Sequence, residues 1–355
     1  MRSSARRPPA AHGDHWLAPQ LARLSQPRTR DVAVALVDLD AVPRVRTAFL
    51  GRAELDTRFE IGSVTKGLTG MLVAAAVARG ELSGHTRVAE VLPVYGGTEF
   101  GTLTVRELCS HTSGLPRLGG GVPFLARALP FALLGLDPYR DLSARRLLAQ
   151  ASRAPVGRRG TYRYSNLGAA VVGALLAAVA QSDYATLLEE RVLSPLGMAD
   201  SGVSRRGFRA HWGHAGSGLR RQPWTCGAYA PAGGVLSTVG DMAKLVTALL
   251  DGSAPGQQAL TALADVQTES ANEDSGLFWV IARRTRMGVP LIWHNGATGG
   301  YSAFVALFPE LRLGVVALAN VDASSECQDI ALAVARFARP TAGATAPAVN
   351  GAVVD

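Results

Sequence analysis

Lysine is almost missing from this sequence of 355 residues. Of its 36 basic side chains, 34 are arginines, and only Lys66 and Lys244 are lysines. Cysteine is scarce as well: Cys109, Cys226 and Cys327 stand far apart, with no C-x-x-C and no metal-ligand spacing. That pattern excludes a disulfide framework and a cysteine-based zinc centre, and no metal or cofactor is expected. Long apolar runs are lacking too. The longest, "LGAAVVGALLAAVA" at 167–180, is too short and too rich in alanine for a bilayer crossing. It reads as a buried helix, so no stable membrane span is expected. "VPFLARALPFALLGL" at 122–136 is interrupted by Arg127 and Pro130 and reads as a core segment or a lid beside a pocket, with a membrane-touching flap as the alternative. After Arg6-Arg7 comes "PPAAHGDH" instead of an apolar stretch. A secretory leader needs such a stretch, so a cytoplasmic location is expected.

What is present is an ordinary globular balance, 48% hydrophobic and 18% charged. It suits one large domain or two closely joined ones. The net charge of +8 is spread along the chain, with small pairs such as Arg205-Arg206 and Arg283-Arg284. A nucleic-acid surface gathers its basic residues on one element with aromatics between them. The charge here reads as a solvated surface, and no nucleic-acid partner is expected. Oligomeric state leaves no mark in the sequence.

The chain alternates in character. Residues 1–30 read as a tail and first helix, with Trp16, Leu17, Leu21 and Leu24 at helical spacing. "DVAVALVDLD" (31–40) and "VRTAFLG" (45–51) read as two strands around Pro43. A helix follows from Ser63 to Gly80. The span 84–225 reads as helices, at about 141–152, 168–181 and 183–193, and long loops. Its "TVRE" (104–107) is a capping box. After a helix at about 237–251 come four strand-like runs, at 277–284, 289–295, 302–308 and 313–321, in the manner of an antiparallel meander. A helix at about 326–338 closes the fold, and 340–355 is low in complexity. The expected domains are therefore an α/β sheet domain from 31–83 and 226–339, a helical subdomain inserted at 84–225, and a disordered tail.

The lysine at 66 has a chemical reason. In "FEIGSVTKGLTG" (59–70) Ser63 and Lys66 stand three apart, which puts them on one face of a helix. A serine hydroxyl is a poor nucleophile until something takes its proton. A lysine amine can do so when burial and a helix N-terminus lower its pKa, whereas arginine never gives up its proton. Lys244 has Asp241 at the corresponding place and reads as an exposed helix charge. Taken alone, Ser63 could equally cap its helix.

Two later stretches change that reading. "RYSNLG" (163–168) places Tyr164 and Asn166 before an apolar helix, and "WHNGATGGYSAF" (293–304) places His294, Asn295 and Gly296 at a strand end. The ordered set S-x-x-K, Y-x-N, H-x-G resembles the serine β-lactamase and penicillin-binding-protein superfamily. It looks closest to the class C β-lactamases, the related D-alanyl-D-alanine carboxypeptidases and the family VIII esterases. "HTSGLP" (111–116) and "APAGGVLSTVGDMAKL" (230–245) extend the likeness over about 30–338. The resemblance implies an α/β (α+β) β-lactamase/transpeptidase-like fold, a central antiparallel sheet flanked by helices. It implies Ser63 as the acylated nucleophile, Lys66 as its proton handler, and Tyr164 as a proton shuttle, either as phenolate or through the lysine. It implies Asn166 as an amide that binds the acyl side chain and helps to hold Lys66. The backbone N–H groups of Ser63 and Ala297 then form the oxyanion hole, with His294 and Gly296 beside it on the substrate-binding strand.

Each of these residues has a plainer role available. Tyr162 is a neighbouring rival to Tyr164, Asn166 could cap the helix that follows, and His111 reads as a turn residue. The third motif also departs from the β-lactamase pattern, since His294 stands where those enzymes carry a lysine, and no glutamine follows "GLPRL". The expected activity is thus a serine hydrolase acting on a small-molecule ester, amide or peptide. A true class C β-lactamase or D-alanyl-D-alanine carboxypeptidase is the alternative, and a non-catalytic penicillin-binding-like sensor or structural protein is a second. The pocket walls are expected from 117–140, 205–230 and 268–276.

Overall fold

The computed structural model describes residues 10–24, 30–119, 130–131, 134–204, 210, 212–261, 263, 266, 268, 270–322 and 324–340. Most of the apolar segment 122–136 and nearly all of the tail 340–355 lie outside the described residues. The strands are β1 (Ala11–Gly13), β2 (Val32–Asp38), β3 (Arg44–Leu50), β4 (Phe59–Glu60), β5 (Gly202–Val203), β6 (Gly213–Ala215), β7 (Arg220–Arg221), β8 (Val235–Ser237), β9 (Glu273–Ser275), β10 (Val280–Ala282), β11 (Leu291–Ala297), β12 (Ser302–Phe308), β13 (Leu313–Ala319) and β14 (Val321–Asp322). Eight of them form one antiparallel sheet in the order β1-β3-β2-β13-β12-β11-β10-β9. β2, near the start of the described residues, thus pairs directly with β13, near their end.

The apolar runs of β2, β12 and β13 are unbroken because both faces of the sheet are covered. On β12, Ala303, Val305 and Leu307 join the core that holds Leu68 and Met71 of the Thr65–Ala78 helix and Leu245 of the Val239–Asp251 helix. Phe304, Ala306 and Phe308 point the other way, toward Leu17 and Leu21 of the Leu17–Leu24 helix and Ile330 and Val334 of the Ser324–Ala338 helix. Alternate residues of a strand face opposite sides, so a sheet between two helical layers needs apolar residues at every position. The longest apolar run supplies the Asn166–Val179 helix, which is mostly buried. No single helix among the described residues is long and apolar enough to cross a membrane.

Several sequence expectations are corrected here. The run 277–284 is a strand only at Val280–Ala282. Phe278 takes a positive φ of 66° and donates its N–H to Cys109 O, which turns the chain and drops Trp279 into the core. The edge strand β9, three residues of mostly polar character, is not read from the sequence. Nor is β1, which joins the sheet from within the stretch expected as tail. Strands β5 to β7 lie in the span expected to hold helices and loops. The capping box does form: Glu107 donates its N–H to Thr104 Oγ1, and Thr104 donates its N–H to Glu107 Oε2.

Candidate active site

Ser63 stands in a single 3-10 turn, Gly62–Val64, that leads straight into the Thr65–Ala78 helix. Hydrogen bonds from the 231–235 segment and its neighbours hold this start. Ile61 donates its N–H to Val235 O at 3.1 Å, and Thr65 Oγ1 accepts from the Val235 N–H at 3.2 Å. One turn further on, Thr69 Oγ1 donates to Pro231 O at 2.8 Å. Lys66 is fully buried, at 0% exposure. Its Nζ lies 3.0 Å from Ser63 Oγ and donates to Ala232 O at 2.6 Å. Burial first, and then the positive charge of Arg117, hold its pKa well below the usual ammonium range. An amine without its proton, 3 Å from a serine hydroxyl, is a base in position.

Tyr164 closes the group. Its hydroxyl hydrogen-bonds with Ser63, and Lys66 Nζ lies 4.9 Å from its ring centroid. Burial pushes the phenol up to about 12, although the bond to Ser63 and the charge of Arg117 pull the other way. At neutral pH the group is therefore a phenol, which can donate a proton. His111 packs on the same ring, with centroids 4.6 Å apart, and meets Tyr162 edge-on at 5.7 Å. It has the turn geometry expected of it, a φ of +61°, and its Nδ1 accepts the Ser165 N–H. His111 is thus a buried prop under Tyr164.

Asn166 begins the Asn166–Val179 helix, and the cap is the residue before it. Ser165 Oγ accepts from the Gly168 N–H at 2.8 Å, which leaves the Asn166 side chain outside the capping role. Among the described residues no hydrogen bond joins Asn166 to Lys66, and Asn166 Oδ1 has no partner. The lysine is held by a carbonyl of the 230–233 turn instead. Asn166 lines the cleft beside Ser63.

The end of β11 supplies the other wall. His294 is buried at 3% exposure, and its Nδ1 donates to Asn295 O at 2.6 Å, because a carbonyl can only accept. Burial, and then the charge of Lys66, push it down to about 3, so the ring is neutral. Gly296 explains its own identity. A Cβ there would stand 2.0 Å from Ile61 O and 3.0 Å from Ser63 N. Gly62, at φ +50°, would likewise carry a Cβ 2.7 Å from Ala297 N. Two facing glycines let the serine turn touch the strand, which sets the backbone of Ser63 against the Gly296–Ala297 end of β11. Backbone N–H groups contributed from two such segments can stabilise a developing oxyanion.

The cleft between these walls measures about 40 Å³, and Tyr139, Trp224 and Tyr229 also line it. These three come from two of the stretches expected to wall it. Three further residues escape sequence reasoning. Ala232 acts through its backbone, which leaves no trace in residue type. Glu60, three positions before Ser63 on β4, is buried and accepts the Trp224 N–H. Arg117 follows "HTSGLP" directly, and that adjacency was its available signal. Among the described residues no group of three His, Cys, Asp or Glu side chains could hold a metal, and the three cysteines are free and buried.

Comparisons with known proteins identify the family. The sequence model of the beta-lactamase family matches residues 24–338. The chain is 27% identical over 342 residues to an unguisins hydrolase of Aspergillus campestris, covering 85% of this chain and 60% of that protein. It is 36% identical over 228 residues to the human putative beta-lactamase-like 1, covering 61% of this chain and 43% of that protein. The chain therefore spans less than two thirds of the length of either relative. A D-alanine carboxypeptidase from Burkholderia cenocepacia has the same fold, with a TM-score of 0.70 at 24% identity over 89% of this chain and 96% of that one. The family match runs through the serine turn, the Tyr164 loop and the end of β11 alike, and on that ground the chain belongs to the beta-lactamase family.

Proposed function

We propose that this protein is a serine hydrolase that cleaves an ester or amide of a small molecule or peptide through an acyl-Ser63 intermediate. The observation that carries the reading is Lys66 Nζ at 3.0 Å from Ser63 Oγ, buried and depressed in pKa. Ser63 Oγ attacks the acyl carbon as its proton passes to the Lys66 amine. The N–H groups of Ser63 and Ala297 receive the oxyanion. As the tetrahedral adduct collapses, the Tyr164 phenol gives its proton to the departing oxygen or nitrogen and takes one back from the Lys66 ammonium. Water then repeats the attack on the acyl-enzyme, with Lys66 as base, and Ser63 leaves as its alcohol.

The neutral, buried His294 favours this reading over a true β-lactamase, since it offers no cation for a drug carboxylate. Intact Lys66 and Tyr164 favour it over a non-catalytic relative. A fluorophosphonate probe and 4-nitrophenyl acetate test it. Labelling at Ser63 and a burst of nitrophenol are expected, and both vanish in Ser63→Ala. Full activity in that variant, or nitrocefin turnover faster than ester turnover, would overturn it.

A further inference from the structure

Arg117 is the arginine whose charge acts on both Lys66 and Tyr164. Its guanidinium carbon lies 5.4 Å from the Tyr164 ring centroid, within cation–π range, and the residue is exposed. Its backbone is anchored where the site needs it. Arg117 O accepts the N–H groups of Asn166 and Leu167 at 3.0 and 3.2 Å, which ties the residue to the start of the helix bearing Asn166. Among the described residues its side chain makes no ion pair and no hydrogen bond. The guanidinium is permanently charged and presents a planar fork of N–H donors that matches a carboxylate edge to edge. The tyrosine ring lies within cation–π range of the guanidinium, and among the described residues no group pairs with that fork.

We propose that Arg117 is the anion-recognising residue of this site, and that the substrates are acyl esters or amides carrying a carboxylate near the scissile bond. The proposal rests on the reading of Ser63 as the acylated nucleophile. His294 on β11 is neutral and buried, so positive charge for a substrate comes from the His111–Arg117 loop. The chain thereby divides its cations by chemistry: a lysine where a proton must move, an arginine where a charge must stay.

The test compares 4-nitrophenyl butyrate with mono-4-nitrophenyl succinate, acyl groups of equal length that differ by one carboxylate, each corrected for uncatalysed hydrolysis. The wild-type protein should prefer the succinate by about tenfold or more in kcat/KM, chiefly through KM. That preference should shrink as salt is raised to about 0.5 M. Arg117→Gln should lose the preference and its salt dependence, and Arg117→Lys should keep part of it. The butyrate reaction of Arg117→Gln should shift toward higher pH, because Lys66 then holds its proton more firmly. A wild type without preference, or a preference intact in Arg117→Gln, overturns the proposal and leaves the hydrolase reading standing. If Arg117→Gln is inactive toward both esters, Arg117→Lys decides: a retained preference supports the assignment and none overturns it. Failure of wild type to be acylated by either ester or by a fluorophosphonate overturns both readings.

Discussion

The carbonyl oxygen of Ala232 accepts a hydrogen bond from Lys66 Nζ at 2.6 Å, across 166 positions of sequence. When the amine is neutral, that bond uses one of its N–H groups and leaves its lone pair to face Ser63. Lys66→Arg keeps a cation but cannot act as a base, and it forces a larger head into a fully buried position. Acylation should fall by at least about 10³-fold, the upper part of what general base catalysis contributes. The melting temperature should also drop, by the equivalent of about 1–3 kcal/mol for overpacking. Burst kinetics and a thermal melt measure the two effects separately.

The pH dependence of acylation follows from two directions of shift. Lys66 must be unprotonated, and its pKa lies well below 10.5. The rate of 4-nitrophenyl acetate hydrolysis should therefore rise with pH along a limb that ends well before 10.5. Tyr164 must keep its proton and titrates near 12. No falling limb from this group should appear below about pH 11. A rate that still climbs through pH 10 would contradict the assignment of Lys66 as the base.

Tyr164→Phe keeps the ring between Lys66 and Arg117 and removes the proton donor. Ester and amide turnover should fall by about 10²–10⁴-fold. Labelling by a fluorophosphonate should fall much less, because fluoride leaves without needing a proton. Equal losses with both reagents would remove Tyr164 from the donor role.

Gly296→Ala tests the close approach behind the oxyanion pair. The added carbon would stand 2.0 Å from Ile61 O, so the serine turn and β11 must separate. Stability should fall by about 1–3 kcal/mol and acylation by about 10²–10³-fold. Wild-type acylation in a folded Gly296→Ala protein would show that Ala297 N–H is not used.

Glu60 gives a stability test that does not depend on activity. Burial raises its pKa from 4.5 to about 8. Below pH 4.5 the folded and unfolded chains both hold its proton. Between 4.5 and about 8 only the folded chain holds it, so this group lowers stability as pH rises through that window, by up to roughly 1.4 kcal/mol per pH unit. Glu60→Gln should remove that slope and raise the melting temperature at pH 8 more than at pH 5. An identical pH profile in the variant would show that Glu60 titrates normally.

The parts of the site legible in the sequence are those where chemistry fixes a residue type at a set offset. Ser63 and Lys66 sit three apart because one helical turn must bring hydroxyl to amine. Gly296 is legible as part of a motif, and the approach of Ile61 O explains it. Ala232 is not legible, because any residue can contribute a carbonyl. Asn166 looked like a cap because Asn often is one, but Ser165 reached the free N–H first. The long strands β2, β12 and β13 announce themselves by their apolar runs. Strands β4, β5 and β8, two or three residues each, follow only from tertiary pairing. The turn at Phe278 was hidden because its apolar neighbours read as strand.

The facing glycines of the serine turn and β11 also order events in time. Ser63 is synthesised early, while Ala297 N–H comes more than 200 positions later, and the β12 and β13 that seat β11 come later still. β2 and β3 must wait for β13 to complete their sheet. On the reading of Ser63 as nucleophile proposed above, a nascent chain carries that serine long before it carries the strand that completes the pocket, and should stay inert toward acyl donors until β11 to β13 have emerged.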